Sequence, residues 1–408
     1  MDLPAEELVD KVALYAAFTG ITKPSSDDMF FLVVGKTGSG KSTFISQCTG
    51  KNVDIGHSLR SCTQSIEVFD FHWLGRHIFL IDTPGFNDSN RSDAEILEAL
   101  ASGLSASYAN KVRIHGVVFL HPISDTRMSG SSLRNIDMMK AVCGFARYDN
   151  LAIVTTMWPR LPQQNDEHDR LESLSKLESR YNELRTNDRF FGGLLRQGAE
   201  VFKYGADSAG KVVTHLVYQA LMHPITALRI QHEIVDQHKP LSETAAGLVI
   251  GTDISQRMAD DEELVASLST TDSTDLTHKA TEHLENCKKE MEILEKSLHD
   301  MHRDGKSRWE ESKVKIDAML DHELEKADQE LLDVQSSKHR SITLTDDFEE
   351  RYSHILCLKE KVSNIRAAQE RFARYKGHMI NGAINGLAAG LTGGIIAAAA
   401  TGLACNIM

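Results

Sequence analysis

The second half of this sequence has little of what stops a helix. No proline follows Pro240, and Gly305 is the only glycine between Thr252 and Lys376. With both main helix breakers nearly absent, long helices are expected there. Cysteine is sparse and scattered: Cys48, Cys62, Cys143, Cys287, Cys357 and Cys405 show no CxxC pairing and no metal-ligand spacing. That excludes a disulfide framework and gives no expectation of a zinc site. Positive charge is short, with 45 Lys and Arg against 58 Asp and Glu and a net charge of −13. Such a chain repels nucleic acid phosphates, and no nucleic acid partner is expected. The opening MDLPAEELVDKVALY has no basic flank leading into a long apolar run. It reads as neither a secretory nor a transit signal, and a cytoplasmic location is expected. Finally, residues 377–408 contain no Asp, Glu, Lys or Arg.

What is present falls into blocks. The segments 30–34, 65–71, 77–82, 115–120, 151–156 and 200–204 read as strands, several nearly continuous in Val, Ile, Leu and Phe, as buried parallel strands require. Helical segments fall between most of them, at KSTFISQCTG, DAEILEALASGL, SSLRNIDMMKAVCG and residues 168–186. Alternation of this kind predicts an α/β fold, a mostly parallel sheet with helices on both faces. The expected order is an N-terminal helix (1–27), the α/β domain (28–225), a helical connector with a Ser/Thr/Asp-rich linker (226–280), a helical bundle or coiled coil (281–376) and a Gly/Ala-rich apolar tail (377–408). In the fourth block Leu284, Cys287, Met291, Leu294, Leu298 and Met301 step by three and four, as do two later runs. Each run lasts about three heptads, which suits either a bundle packing on itself or an intermolecular coiled coil.

GKTGSGKS, Gly35 to Ser42, fits G-x-x-x-x-G-K-[ST] and stands between an apolar strand and a helix. Glycines at 35, 38 and 40 let the backbone of Gly35, Lys36, Thr37, Gly38, Ser39 and Gly40 turn its N–H groups inward without Cβ collisions. Those donors and the following helix N-terminus, Lys41, Ser42 and Thr43, can surround phosphates. Lys41 would reach the β- and γ-phosphates, and the Ser42 hydroxyl would coordinate Mg²⁺. In HIFLIDTPG, Asp82 ends another apolar strand, where its carboxylate can hold Mg²⁺ through a water while the Gly85 N–H meets the γ-phosphate. Between the two motifs, Thr63 in RSCTQSI is the candidate switch threonine that closes on Mg²⁺. Ser58, Ser61 and Ser65 offer similar hydroxyls.

These residues resemble the GTP-binding G domains of the P-loop GTPases, most nearly the septin, AIG1 and Toc-type branch. The resemblance covers residues 28–220 and rests on GKTGSGKST, SCT and IDTPGF; FLHPISDTRMSGSSLRN and VTTMW are also similar to a group of fungal G-domain proteins. It implies GTP as ligand and substrate, Mg²⁺ as cofactor, catalysis involving Lys41, Thr63 and Gly85, and self-association through the G domain or the helices. Two departures stand out. Phe86 occupies the position of the water-orienting glutamine of Ras-like enzymes, so hydrolysis should be slow. The guanine-reading [NT]-K-x-D is replaced by Thr155-Thr156-Met157-Trp158, so Thr156, Trp158 stacking on the base and an N–H near Ser208 are the remaining base contacts. The leading expectation is a nucleotide-dependent switch with slow Mg²⁺-dependent GTP hydrolysis. A septin-like scaffold that uses bound nucleotide for assembly, and an ATP-binding or non-selective P-loop protein, are the alternatives.

Residues 379–408 would run about 45 Å as a helix, longer than a bilayer core of about 30 Å. Gly382, Gly386, Gly390 and Gly394 form a G-x-x-x-G stripe suited to close packing in lipid. Its Leu and Ile residues supply only on the order of −4 kcal/mol for insertion. Both a membrane anchor and a small-residue helix packed on the protein itself fit. Cys405-Asn406-Ile407-Met408 also satisfies C-a-a-X, making Cys405 a candidate for lipidation.

Overall fold

The computed structural model describes residues 23–50, 66–88, 91–124, 130–144, 148–159, 167–205, 208–268, 274–297 and 299–301, with single positions elsewhere. Thr63, the helical runs beyond residue 301, the apolar tail and Cys405 lie outside the described residues, as does most of the helix expected in 1–27.

The elements run in the order β1 (Asp28–Gly35), α1 (Lys41–Thr49), β2 (Glu67–Trp73), β3 (Arg76–Asp82), α2 (Asp93–Ala109), β4 (Ile114–Pro122), α3 (Gly130–Cys143), β5 (Leu151–Thr156), α4 (Glu167–Thr186), α5 (Gly192–Arg196), β6 (Glu200–Lys203) and α6 (Ser208–Met222). Six strands form one sheet in the order β2-β3-β1-β4-β5-β6. Only the β2–β3 pair is antiparallel. Leu74 and Gly75 make its tight turn, both at positive φ, the geometry that matches the twist of a hairpin. From β1 the chain goes first to β3 on one side and then to β4 on the other. The crevice at the C-terminal ends of these strands is therefore where an α/β sheet opens to a ligand.

One irregularity is built in. Between Phe30 and Phe31 the register against β4 skips from Ile114 to Gly116, leaving His115 as the extra residue. Such a bulge strands a backbone donor. Here Phe30 N donates to His115 Nδ1 at 3.1 Å, so the imidazole must stay neutral, and burial pushes its pKa down to about 4.

The two faces of the sheet are covered differently. Phe31, Val33, Leu80 and Val118 pack under α1 and α6 in a compact cluster with Phe44, Ile45, Val213 and Leu216. Phe30, Leu32, Ile81 and Val117 lie under α2 and α3, and this core continues through Leu228, Ile234, Ile250, Ile254, Cys287 and Leu294. Those last residues come from a helical layer. It begins at Arg229–Gln231, passes through a π-turn at His232–Asp236, and continues as α7 (Ala245–Leu268) and α8 (Thr274–Leu294). The boundary expected between residues 280 and 281 falls inside α8, because Ala280 and Cys287 bury one continuous helix face. The Ser/Thr/Asp-rich segment separates α7 from α8. Arg257 meets Glu290 and Asp261 meets His283, so the two helices are antiparallel. Of the first heptad-like run, Leu284 and Met291 are half-buried while Cys287 and Leu294 are fully buried. No helix among the described residues is long and apolar enough to cross a membrane.

Candidate nucleotide site

At the C-terminal end of β1 the chain turns through residues 35–40 into α1. Gly40 caps α1 at φ 95° and Gly38 stands at φ 76°, backbone geometry that side chains with a Cβ rarely adopt. A Cβ on Gly38 would meet nothing within 4 Å, so the cradle is open there. Its base is closed: a Cβ on Gly35 would stand 2.5 Å from Leu120 O. Ser39 is fully buried. Its Oγ has no hydrogen-bond partner among the described residues, while its carbonyl accepts from Thr156 Oγ1 at 2.7 Å.

Lys41 folds back along the loop, Nζ donating to Gly35 O at 3.1 Å and Lys36 O at 3.2 Å. Burial lowers its pKa, opposed by the charges of Asp82 and Asp88. An ammonium held in a desolvated loop needs an anion, and a phosphate supplies one. Asp82 is buried at the end of β3 and Ser42 is half-buried in the first turn of α1. A carboxylate and a hydroxyl beside an open turn form the hard oxygen set that suits Mg²⁺, so these residues fit that ion. When bound, Mg²⁺ would neutralise charge on phosphate oxygens.

The segment after β3 is locked to the loop. Thr37 N donates to Phe86 O at 3.0 Å, and Thr37 Oγ1 donates to Gly85 O at 3.1 Å and Asp88 Oδ2 at 3.2 Å. A Cβ on Gly85 would sit 2.4 Å from Thr37 N, so this approach demands glycine. Phe86 is buried in the core, which leaves no water-orienting side chain at its position. Beyond it, Asn87 at φ 57° donates its N–H to Asp93 Oδ1 at 2.8 Å. Ser92 and Glu95 form a reciprocal capping box that starts α2, a signal written in the sequence as S-x-x-E.

A chain of polar contacts leaves the site from here. Arg134 of α3 donates to Asn87 Oδ1 at 2.8 Å and pairs with Asp93 at 3.3 Å. It also pairs with Asp253 of α7, which meets Arg257 at 3.1 Å. Arg257 in turn grips Glu290 of α8 with two bonds, at 3.3 and 2.8 Å. Burial pushes the Asp93 carboxyl up, and the Asn87 N–H and Arg134 pull it back. Neither Arg134 nor Asp253 carries a local motif that would have singled it out.

The base end differs from the sequence expectation. Trp158 does not lie free for stacking. Its Nε1 donates to Thr155 O at 3.0 Å, its ring packs edge-on against Tyr181, and Lys203 covers its face at 5.0 Å. Thr156 is buried, its hydroxyl spent on Ser39 O, so it positions the loop. Ser208 Oγ accepts from Gly205 N at 2.7 Å and donates to Lys203 O at 3.0 Å, closing the turn into α6, and its own N–H donates to Gly205 O. The residue the sequence reading passed over is Met157. It stands at φ 60°, is 49% exposed, and its Cε would lie 4.0 Å from a Cβ on Gly40. With Thr156 in the first place of the base-reading tetrapeptide, Met157 takes the lysine place and Pro159 the aspartate place.

Residues 30–141 match the family described as 50S ribosome-binding GTPase. GTP-binding protein A of Dictyostelium discoideum is 28% identical over 183 residues, which are 43% of this chain and 39% of that protein. The match thus spans well under half of its relative. Among solved structures, Toc33 from Arabidopsis thaliana in complex with Mg²⁺ and GMPPNP is 15% identical, covers 54% of this chain and 94% of that one, and superposes with a TM-score of 0.36. Era from Aquifex aeolicus bound to GDP and AlF4⁻ is 16% identical over 47% of this chain and 57% of that one, with a TM-score of 0.32. By the family match over residues 30–141, with the phosphate cradle and the strand order beside it, the first half of the chain is similar to the G domains of P-loop GTPases.

Proposed function

We propose that this protein is a guanine-nucleotide switch. It binds GTP with Mg²⁺, hydrolyses it slowly, and passes the state of its phosphate site to the helical layer formed by α7 and α8. Lys41, the N–H groups of residues 36–43, Ser42 and Asp82 would hold the triphosphate and its ion, and Thr63 would join them when the triphosphate is present. The γ-phosphate would draw on Gly85, whose carbonyl is bonded to Thr37 in the present conformation. With Phe86 in the core, nothing at that position orients water, which supports slow turnover. The GTPase description of the matched family supports the same reading.

One observation carries the switch: Thr37, in the phosphate loop, is bonded to Asp88, and the path continues through Asn87, Arg134 and Asp253 to Arg257 and Glu290. A shift of Gly85 toward a γ-phosphate must break the Thr37 contacts and disturb that path. Amide hydrogen exchange tests it. Protection of α7 and α8 should differ between the GTP-analogue and GDP states and become equal in Arg134→Met. Equal protection of the two states in the unaltered protein would refute the coupling.

A further inference from the structure

The antiparallel pair α7–α8 brings together three side chains that no local spacing announces. His283 and Cys287 stand four residues apart on α8 and so share one face. Asp261 of α7 faces them from the other helix, its carboxylate against His283 Nδ1. One ligand atom from each of the three lies within 4.8 Å of the others. Tetrahedral zinc has bonds of about 2.0–2.3 Å, which separate its ligand atoms by about 3.3–3.8 Å. Closing the triad onto an ion therefore takes side-chain movement of about 1 Å, well within rotamer adjustment.

The surroundings suit a cation. Asp253 and Glu290 match the positive charges of Arg134 and Arg257, which leaves the Asp261 carboxylate to meet an ion. Cys287 is completely buried while His283 is exposed, which gives an ion a way in from solvent and a dry thiol to meet.

We infer that Asp261, His283 and Cys287 form a binding site for a zinc-class divalent cation, with water completing the coordination, that clips α7 to α8. A thiolate and an imidazole select such an ion over Mg²⁺, so this site is chemically separate from the one at Ser42 and Asp82. On binding, the Cys287 thiol proton and any proton on the liganding imidazole nitrogen pass to solvent, and no electron moves.

Cobalt(II) titration of the full, chelator-treated chain without nucleotide tests the assignment. The expected result is one equivalent of cobalt giving a thiolate-to-cobalt charge-transfer band and tetrahedral visible bands, displaced by Zn²⁺ and untouched by excess Mg²⁺. Cys287→Ser should abolish the charge-transfer band, and Lys41→Ala should leave it intact. Since Cys287 is a core residue, the exposed His283→Gln serves as the second variant and should weaken cobalt binding at least about tenfold. Absence of the band in the unaltered chain, a band of full strength in folded Cys287→Ser, or unchanged affinity in His283→Gln would each overturn the site.

Discussion

The phosphate end and the base end of the site are built on opposite terms. At the phosphate end the backbone is the working surface. Gly35 and Gly85 sit where a Cβ would strike Leu120 O at 2.5 Å and Thr37 N at 2.4 Å, and Lys41 folds back onto the loop carbonyls. At the base end the side chains are engaged with one another. Trp158 is bound to Thr155 and Tyr181, Thr156 to Ser39, and Ser208 to its own turn, while the exposed Met157 stands beside the loop at Gly40. The difference teaches that affinity here should come from charge and amide donors on the phosphates, with weak discrimination of the base.

The most severe way to break that contrast is Lys41→Ala. Two charge-assisted bonds at about 1.5–3 kcal/mol each make a loss of at least about a hundredfold in triphosphate affinity, read by fluorescent-nucleotide titration. Next comes the sheet that supports both ends. The His115 pKa of about 4 in the fold lies below the ordinary 6.5, so the unfolded chain takes up a proton first as pH falls. Stability from this group is complete above pH 6.5 and is lost on descending toward pH 4, about 2.5 kcal/mol of it between pH 7.5 and 4.5. His115→Asn keeps an acceptor for Phe30 N and should lose that component, as denaturant melts at the two pH values would show.

Smaller effects sharpen the base end. The double substitution Met157→Lys with Pro159→Asp writes Thr-Lys-Trp-Asp into the tetrapeptide after β5. A carboxylate that accepts from guanine should raise the preference for GTP over ATP at least about tenfold in competition titrations. Smallest of all, Trp158→Phe should change nucleotide affinity less than about twofold. It should cost about 1 kcal/mol of stability through the lost Nε1 bonds. A large affinity loss in that variant would restore Trp158 as a base contact.

How much could be read in advance follows the same divide. The cradle was legible because backbone amides that converge on phosphate need glycine at fixed places, and the strands because buried parallel strands need unbroken runs such as FFLVV and LAIVTT. Asp82 was placed correctly at a strand end, and the capping box at Ser92 marks the start of α2. Side-chain commitments were not legible. Trp158 looked available because Tyr181 and Lys203, which cover it, come from elements far along the chain. The helices after residue 226 were expected, but not that Ile250, Ile254 and Cys287 would extend the core beneath α2 and α3. The path from Arg134 to Glu290 joins residues more than a hundred positions apart, which no local pattern announces.

Phosphate-chain dependence tests the central claim most directly. GTP, GDP and guanosine are titrated against the unaltered protein in Mg²⁺. The account predicts measurable binding of GTP and GDP and none of guanosine at the same concentrations, because the donors gathered by Gly35 to Thr43 have nothing to hold without phosphate. Guanosine bound as tightly as GTP would contradict it.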